Sequence, residues 1–90
     1  MPESQSTFIW YHAENLNMSE MKKWLKLVKE QTGAECRLYV RRKEGKTTFM
    51  ESYADISPAT TMAIEGLAAA HPLFNGISRR AESFLRIDEL

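Results

Sequence analysis

The sequence predicts an α+β domain in which two helices cover one face of a four-stranded antiparallel sheet. Three observations point there. Glu35 to Asp55 (ECRLYVRRKEGKTTFMESYAD) reads as two alternating strands around a tight turn. Two capped segments with helical spacing flank it, starting at Asn17 and Ser57. Short aromatic runs, TFIWYH and ESFLRI, lie near the two ends and read as outer strands in the chain order.

Met1 to Ser6 is polar, and fraying is expected there. In the strand Thr7 to His12, Phe8, Trp10 and His12 point one way, and Ile9 and Tyr11 the other. Bulk on both sides marks a central strand. Asn17 with Glu20 resembles a capping box. The helix it opens should run to Thr32 and stop at Gly33. Met18, Met21, Trp24, Leu25 and Val28 form its apolar stripe, with Leu27 at the margin. Lys22, Lys23, Lys26, Lys29 and Glu30 form its wet face, read as a solubility surface or as a site for an acidic partner.

The hairpin is expected to turn through a three-residue loop, Lys43-Glu44-Gly45, with Gly45 left-handed. Arg42 then faces Lys46, and Tyr39–Phe49, Leu38–Met50, Arg37–Glu51 and Cys36–Ser52 pair. That register gathers Cys36, Leu38, Val40, Thr48, Met50, Ser52 and Ala54 under the helices. It leaves Arg37, Tyr39, Arg41, Phe49, Glu51 and Tyr53 on the other face. A two-residue Glu44-Gly45 turn would set Leu38 opposite Glu51 and mix the faces, and is rejected on that ground.

Ser57-Pro58 opens the second helix, about Pro58 to Ala70, with Met62, Ala63 and Leu67 and a run of small residues. Gly66 inside it suggests close approach to the sheet, because glycine costs a helix about 1 kcal/mol against alanine. His71-Pro72 ends the helix. Leu73, Phe74 and Ile77 anchor the connection to a last strand, Glu82 to Ile87.

Strand, helix, strand, strand, helix, strand, in one domain spanning residues 1–90, is the order of the ferredoxin-like plait. Its strand order 4-1-3-2 puts the first and third strands in the middle. The second lies at an edge, where Arg37, Arg41, Arg42 and Lys43 discourage stray pairing. Ninety residues bury only about 60–65% of the unfolded surface, so such a domain gains from a second copy. Twelve basic and twelve acidic residues cancel, which argues against nucleic acid and anionic membranes as partners. Cys36 is the one cysteine, so no internal disulfide forms and a cytoplasmic, reducing setting fits. The apolar run Phe8 to Tyr11 is too short for a signal peptide or a membrane span. Ile87-Asp88-Glu89-Leu90 is read as a chance likeness to a retention tail.

Phe49-Met50-Glu51-Ser52-Tyr53, the alanine-rich second helix and the closing Arg80-Ala81-Glu82-Ser83-Phe84-Leu85 resemble a small family of bacterial domains with no assigned activity. That family looks related to the dimeric α+β barrels. The resemblance implies a homodimer built by pressing two open sheet faces together, and no chemistry. Some members of the wider superfamily are cofactor-free or haem-degrading monooxygenases, with a pocket between sheet and helices. Those often carry an asparagine on the first strand, a tryptophan and a histidine. Trp10 and His71 are present here, but Thr7 to His12 contains no asparagine.

Arg37, Tyr39, Phe49, Glu51, Tyr53 and Trp10 are therefore the candidate pocket or dimer face. Glu51 among aromatics reads as an acid or base with a raised pKa, or as a structural partner of Arg37. His12 sits at a strand end, and His71 suits the negative end of a helix dipole. No metal-ligand spacing and no phosphate loop is present, so no metal or cofactor is expected. Cys36 is expected as a buried, inert thiol. Three uses remain: a homodimeric domain that scaffolds or binds a small ligand, a small enzyme around Glu51, Tyr53 and Trp10, and RNA stacking on the sheet. The last is disfavoured because Glu51 would stand on the stacking face.

Overall fold

The computed structural model describes residues 5–88. The expectations for Met1 to Pro2-Glu3-Ser4 and for Glu89-Leu90 fall outside that range. Gln5 and Ser6 are not frayed ends but open the first strand. The elements are β1 (Gln5–His12), α1 (Met18–Thr32), β2 (Cys36–Lys43), β3 (Lys46–Ile56), α2 (Pro58–Ala69), a 3-10 turn (Pro72–Phe74) and β4 (Arg80–Leu85). All strand pairings are antiparallel, in the order β2-β3-β1-β4. From the other edge this is 4-1-3-2, so β1 and β3 are central as the sequence predicts.

Local chemistry sets the helix ends. The Asn17 side chain accepts the Ser19 and Glu20 N–H groups at 2.7 and 3.3 Å. Gly33, at φ 78°, closes α1 by donating to the Lys29 carbonyl. Ser57 caps α2 through the Thr60 N–H at 3.1 Å. Met21, Trp24 and Val28 of α1 and Ile64 and Ala68 of α2 press on Ile9, Tyr11, Phe49 and Tyr53 of the sheet. Met18 and Met62 are exposed instead of joining those apolar stripes.

The hairpin register differs from the sequence expectation. The loop is the two-residue Glu44-Gly45 turn, with both residues at positive φ (53° and 76°), the type I′ pattern. That turn matches the right-handed twist of the paired strands. Lys43 pairs with Lys46, Tyr39 with Met50, Leu38 with Glu51 and Cys36 with Tyr53. Every side chain of β3 is consequently on the face opposite to the one expected. Thr47, Phe49, Glu51 and Tyr53 lie under the helices. Thr48, Met50 and Ser52 lie on the open face beside Arg37, Tyr39 and Arg41. A bulge at Ala54-Asp55, with Asp55 at φ 52°, then turns Ile56 back into the core.

Two smaller expectations also fail. A methyl group built on Gly66 meets nothing within 4 Å, so close approach does not explain that glycine. The last strand begins at Arg80 and ends at Leu85, two residues earlier than read from ESFLRI, because its register on β1 runs from Trp10–Arg80 to Gln5–Leu85.

Candidate functional site

Glu51 is the polar centre of the packed side of the sheet, with 0% exposure. Its Oε2 accepts from Tyr11 Oη (2.6 Å), Trp24 Nε1 (3.1 Å) and Arg79 Nη1 (2.7 Å). Its Oε1 accepts from Tyr53 Oη (2.5 Å) and Arg79 Nη2 (3.2 Å). Arg79 also donates to Glu65 of α2, from Nη2 at 2.8 Å and Nε at 3.2 Å. Its guanidinium carbon lies 4.3, 5.0 and 5.4 Å from the ring centres of Phe74, Tyr11 and Trp24. A buried charge survives only when paired and hydrogen-bonded, and this one is both.

Burial, reinforced by the Glu51 charge beside them, pushes the Tyr11 and Tyr53 hydroxyls well above the ordinary phenol range. Burial works against the Arg79 charge, but hydrogen bonds to Glu51 and Glu65 outweigh it and raise its pKa. Burial and the Glu51 charge push the Cys36 thiol up to about 12, so it is a poor nucleophile near neutral pH. Both Glu51 oxygens are taken up by these donors, and the side chain has no exposure to solvent. Arg79, not Arg37, is the ion-pair partner of Glu51. It was missed because it lies in a connection, 28 residues away in the chain, with no periodicity to mark it.

The opposite face of the sheet has no layer over it in the single chain. Phe8, Trp10, Tyr39, Met50 and Phe84 share it, with Tyr39 49% and Phe84 56% exposed. Phe8 and Phe84 meet edge to face at 5.9 Å, and Arg80 lies 5.2 Å from the Trp10 ring centre. A recess of about 350 Å³ opens there, lined by Trp10, Tyr39, Val40, Arg41, Thr48 and Met50. The six candidates are thus divided by the sheet. Trp10, Arg37 and Tyr39 stand on the open face, and Phe49, Glu51 and Tyr53 beneath the helices. The Glu51 objection to a phosphate backbone on the open face goes with that division.

The histidines have local duties. His12 Nδ1 lies 2.9 Å from Thr48 Oγ1 at the exposed end of β1. His71 Nδ1 accepts the Leu73 N–H at 3.1 Å, and the ring packs on Trp24 and Phe74. His71 therefore caps the 3-10 turn that follows α2. Trp10 and His71, compared above with oxygenase residues, lie on opposite sides of the sheet. Exposed Glu14 was not singled out by the sequence, yet it accepts the Thr47 N–H (2.9 Å) and hydroxyl (3.1 Å). Those bonds hold its pKa below the usual carboxylate value. Among the described residues, no three His, Cys, Asp or Glu side chains gather as metal ligands, and no helix is long and apolar enough to cross a membrane.

No protein-family model matches the chain, and no curated protein does. Among solved structures, the de novo designed protein Foldit4 is similar over 94% of this chain and 100% of its own, at 11% identity and a TM-score of 0.64. The de novo designed protein Ferredog-Diesel is similar over 86% of this chain and 83% of its own, at 17% identity and a TM-score of 0.53. These likenesses are of fold alone: a small α+β domain with a four-stranded antiparallel sheet and two helices.

Proposed function

We propose that the chain is a ferredoxin-like plait that works as a homodimer, two copies pressing their open sheet faces together as in a dimeric α+β barrel. The observation that carries this is the contrast between the two faces. One is sealed by the chain's own helices. The other leaves Phe8, Trp10, Tyr39, Met50 and Phe84 without a layer, and aromatic rings are costly to leave in water. The recess between Trp10, Tyr39 and Met50 gives such a dimer room for a small, largely apolar ligand. Scaffolding or ligand binding fits the chain better than catalysis, because the Glu51 carboxylate is buried and both its oxygens are taken up by donors of the chain itself. A cytoplasmic setting fits the free Cys36.

Light scattering at micromolar concentration tests the reading. The expected mass is about 20.8 kDa, twice the 10.4 kDa chain. Trp10→Ser should shift the protein to monomer while its circular dichroism stays unchanged. A wild-type monomer overturns the reading. So does a monomer that retards a labelled single-stranded oligonucleotide at low salt, which would give the aromatic face to nucleic acid instead.

A further inference from the structure

The open face carries its own instructions for how a second copy must lie. Strand pairing sorts its side chains into rows that cross the sheet from β2 through β3 and β1 to β4. One row is Arg37, Ser52, Phe8 and Glu82. The next is Tyr39, Met50, Trp10 and Arg80. Two residues further along come Arg41, Thr48 and His12. The first two rows are cationic or aromatic at the β2 end and have the complementary group at the β4 end, while the third has no β4 member. Glu82 is the acidic residue in these three rows, against Arg37, Arg41 and Arg80. Among the described residues, neither Arg37 nor Glu82 makes an ion pair within its own chain.

We infer that the two-fold axis of the dimer runs parallel to the strands, laying β2 of each protomer over β4 of the other. This rests on the homodimer reading above. Rotation about that axis reverses a row from end to end without moving it along the strand. Arg37 then faces Glu82 of the partner subunit, Tyr39 faces the partner's Arg80, and Met50 faces the partner's Trp10. Each contact occurs twice, as a two-fold interface requires. Packed sheets lie about 10 Å apart and turn by about 30°, which shifts the outer strands by about one residue. Arginine and glutamate side chains span that offset. The alternative axis, across the strands, lays β2 over β2. In any register it sets β2, with Arg37, Arg41 and Lys43 on this face, against its own copy, which is repulsive.

Charge reversal separates the two. The dimer dissociation constant is measured by sedimentation equilibrium for the wild type, Arg37→Glu, Glu82→Arg and the double variant, with thermal melts to confirm folding. Each single variant should weaken the dimer about tenfold, and the double variant should return it to near the wild-type value. If Arg37→Glu tightens the dimer, the axis lies across the strands and the inference falls. If all four dimers are equally tight, the inference falls while the homodimer reading stands. If the wild type is a monomer, the homodimer reading falls and takes this inference with it.

Discussion

The two faces of one sheet in this chain handle charge in opposite ways. On the helix side a carboxylate and a guanidinium are withdrawn from water and fully partnered, with Glu51 accepting from Tyr11, Tyr53, Trp24 and Arg79. On the open side the charges stand on the edge strands with Tyr39 and Phe84, and Phe8, Trp10 and Met50 lie between them. The first arrangement is complete within one molecule. The second is completed, in the proposed homodimer, by another copy. On that proposal folding and association fall to different faces, and substitutions on each should be felt differently.

The largest effect should come from Arg79→Met. It leaves Glu51 buried without its countercharge, and loss of one partner of a buried pair costs about 3–5 kcal/mol. Urea unfolding should show that loss. An equally stable variant would mean that the cluster is not what seals the helix side. Tyr53→Phe removes one hydrogen bond to a charged acceptor and should cost about 1.5–3 kcal/mol in the same measurement.

The same cluster sets the response to alkali. The folded-state pKa of Tyr11 and of Tyr53 lies above the ordinary 10.0. The unfolded chain therefore gives up these protons first. Their contribution to stability is whole below pH 10 and declines as pH rises beyond it. Cys36 acts in the same sense from its ordinary 9.0 up to about 12. In Tyr39→Phe, whose remaining tyrosines are Tyr11 and Tyr53, phenolate absorbance should appear together with the loss of circular dichroism. Its appearance in that variant while still folded at pH 10 would break the picture of a closed face.

Gly66→Ala should raise stability by about 1 kcal/mol, since the site is exposed, helical and free of neighbours. A loss would show a contact at that point of α2. The smallest effect is expected from Tyr39→Ser on the open face. Measured on dilute monomer, it should change stability by no more than about 0.5 kcal/mol, the range of ordinary surface substitutions. A cost near that of Tyr53→Phe would show that the open face contributes to folding after all.

The architecture was legible because its signals are local. Asn17, Gly33 and Ser57-Pro58 mark helix ends through bonds to residues a few positions away. The aromatic strands and the cationic edge also read directly. The division of the candidate residues between the two faces was not legible. It turns on the Glu44-Gly45 turn, which sets Leu38 opposite Glu51 and so mixes the faces on a reading of the local pattern alone.

Sequence by itself determined the helix caps, the order of elements and which strands are central, since all three follow from backbone hydrogen bonding and short-range periodicity. Tertiary structure alone decided that Glu51 belongs inside. Local patterning treats a carboxylate beside leucine as an error. The fold brings Arg79 from a distant connection, and two phenols and an indole from other elements, to neutralise and solvate it. Whether a charge can be buried depends on partners remote in the chain, so no reading of its neighbours in sequence could have settled the register.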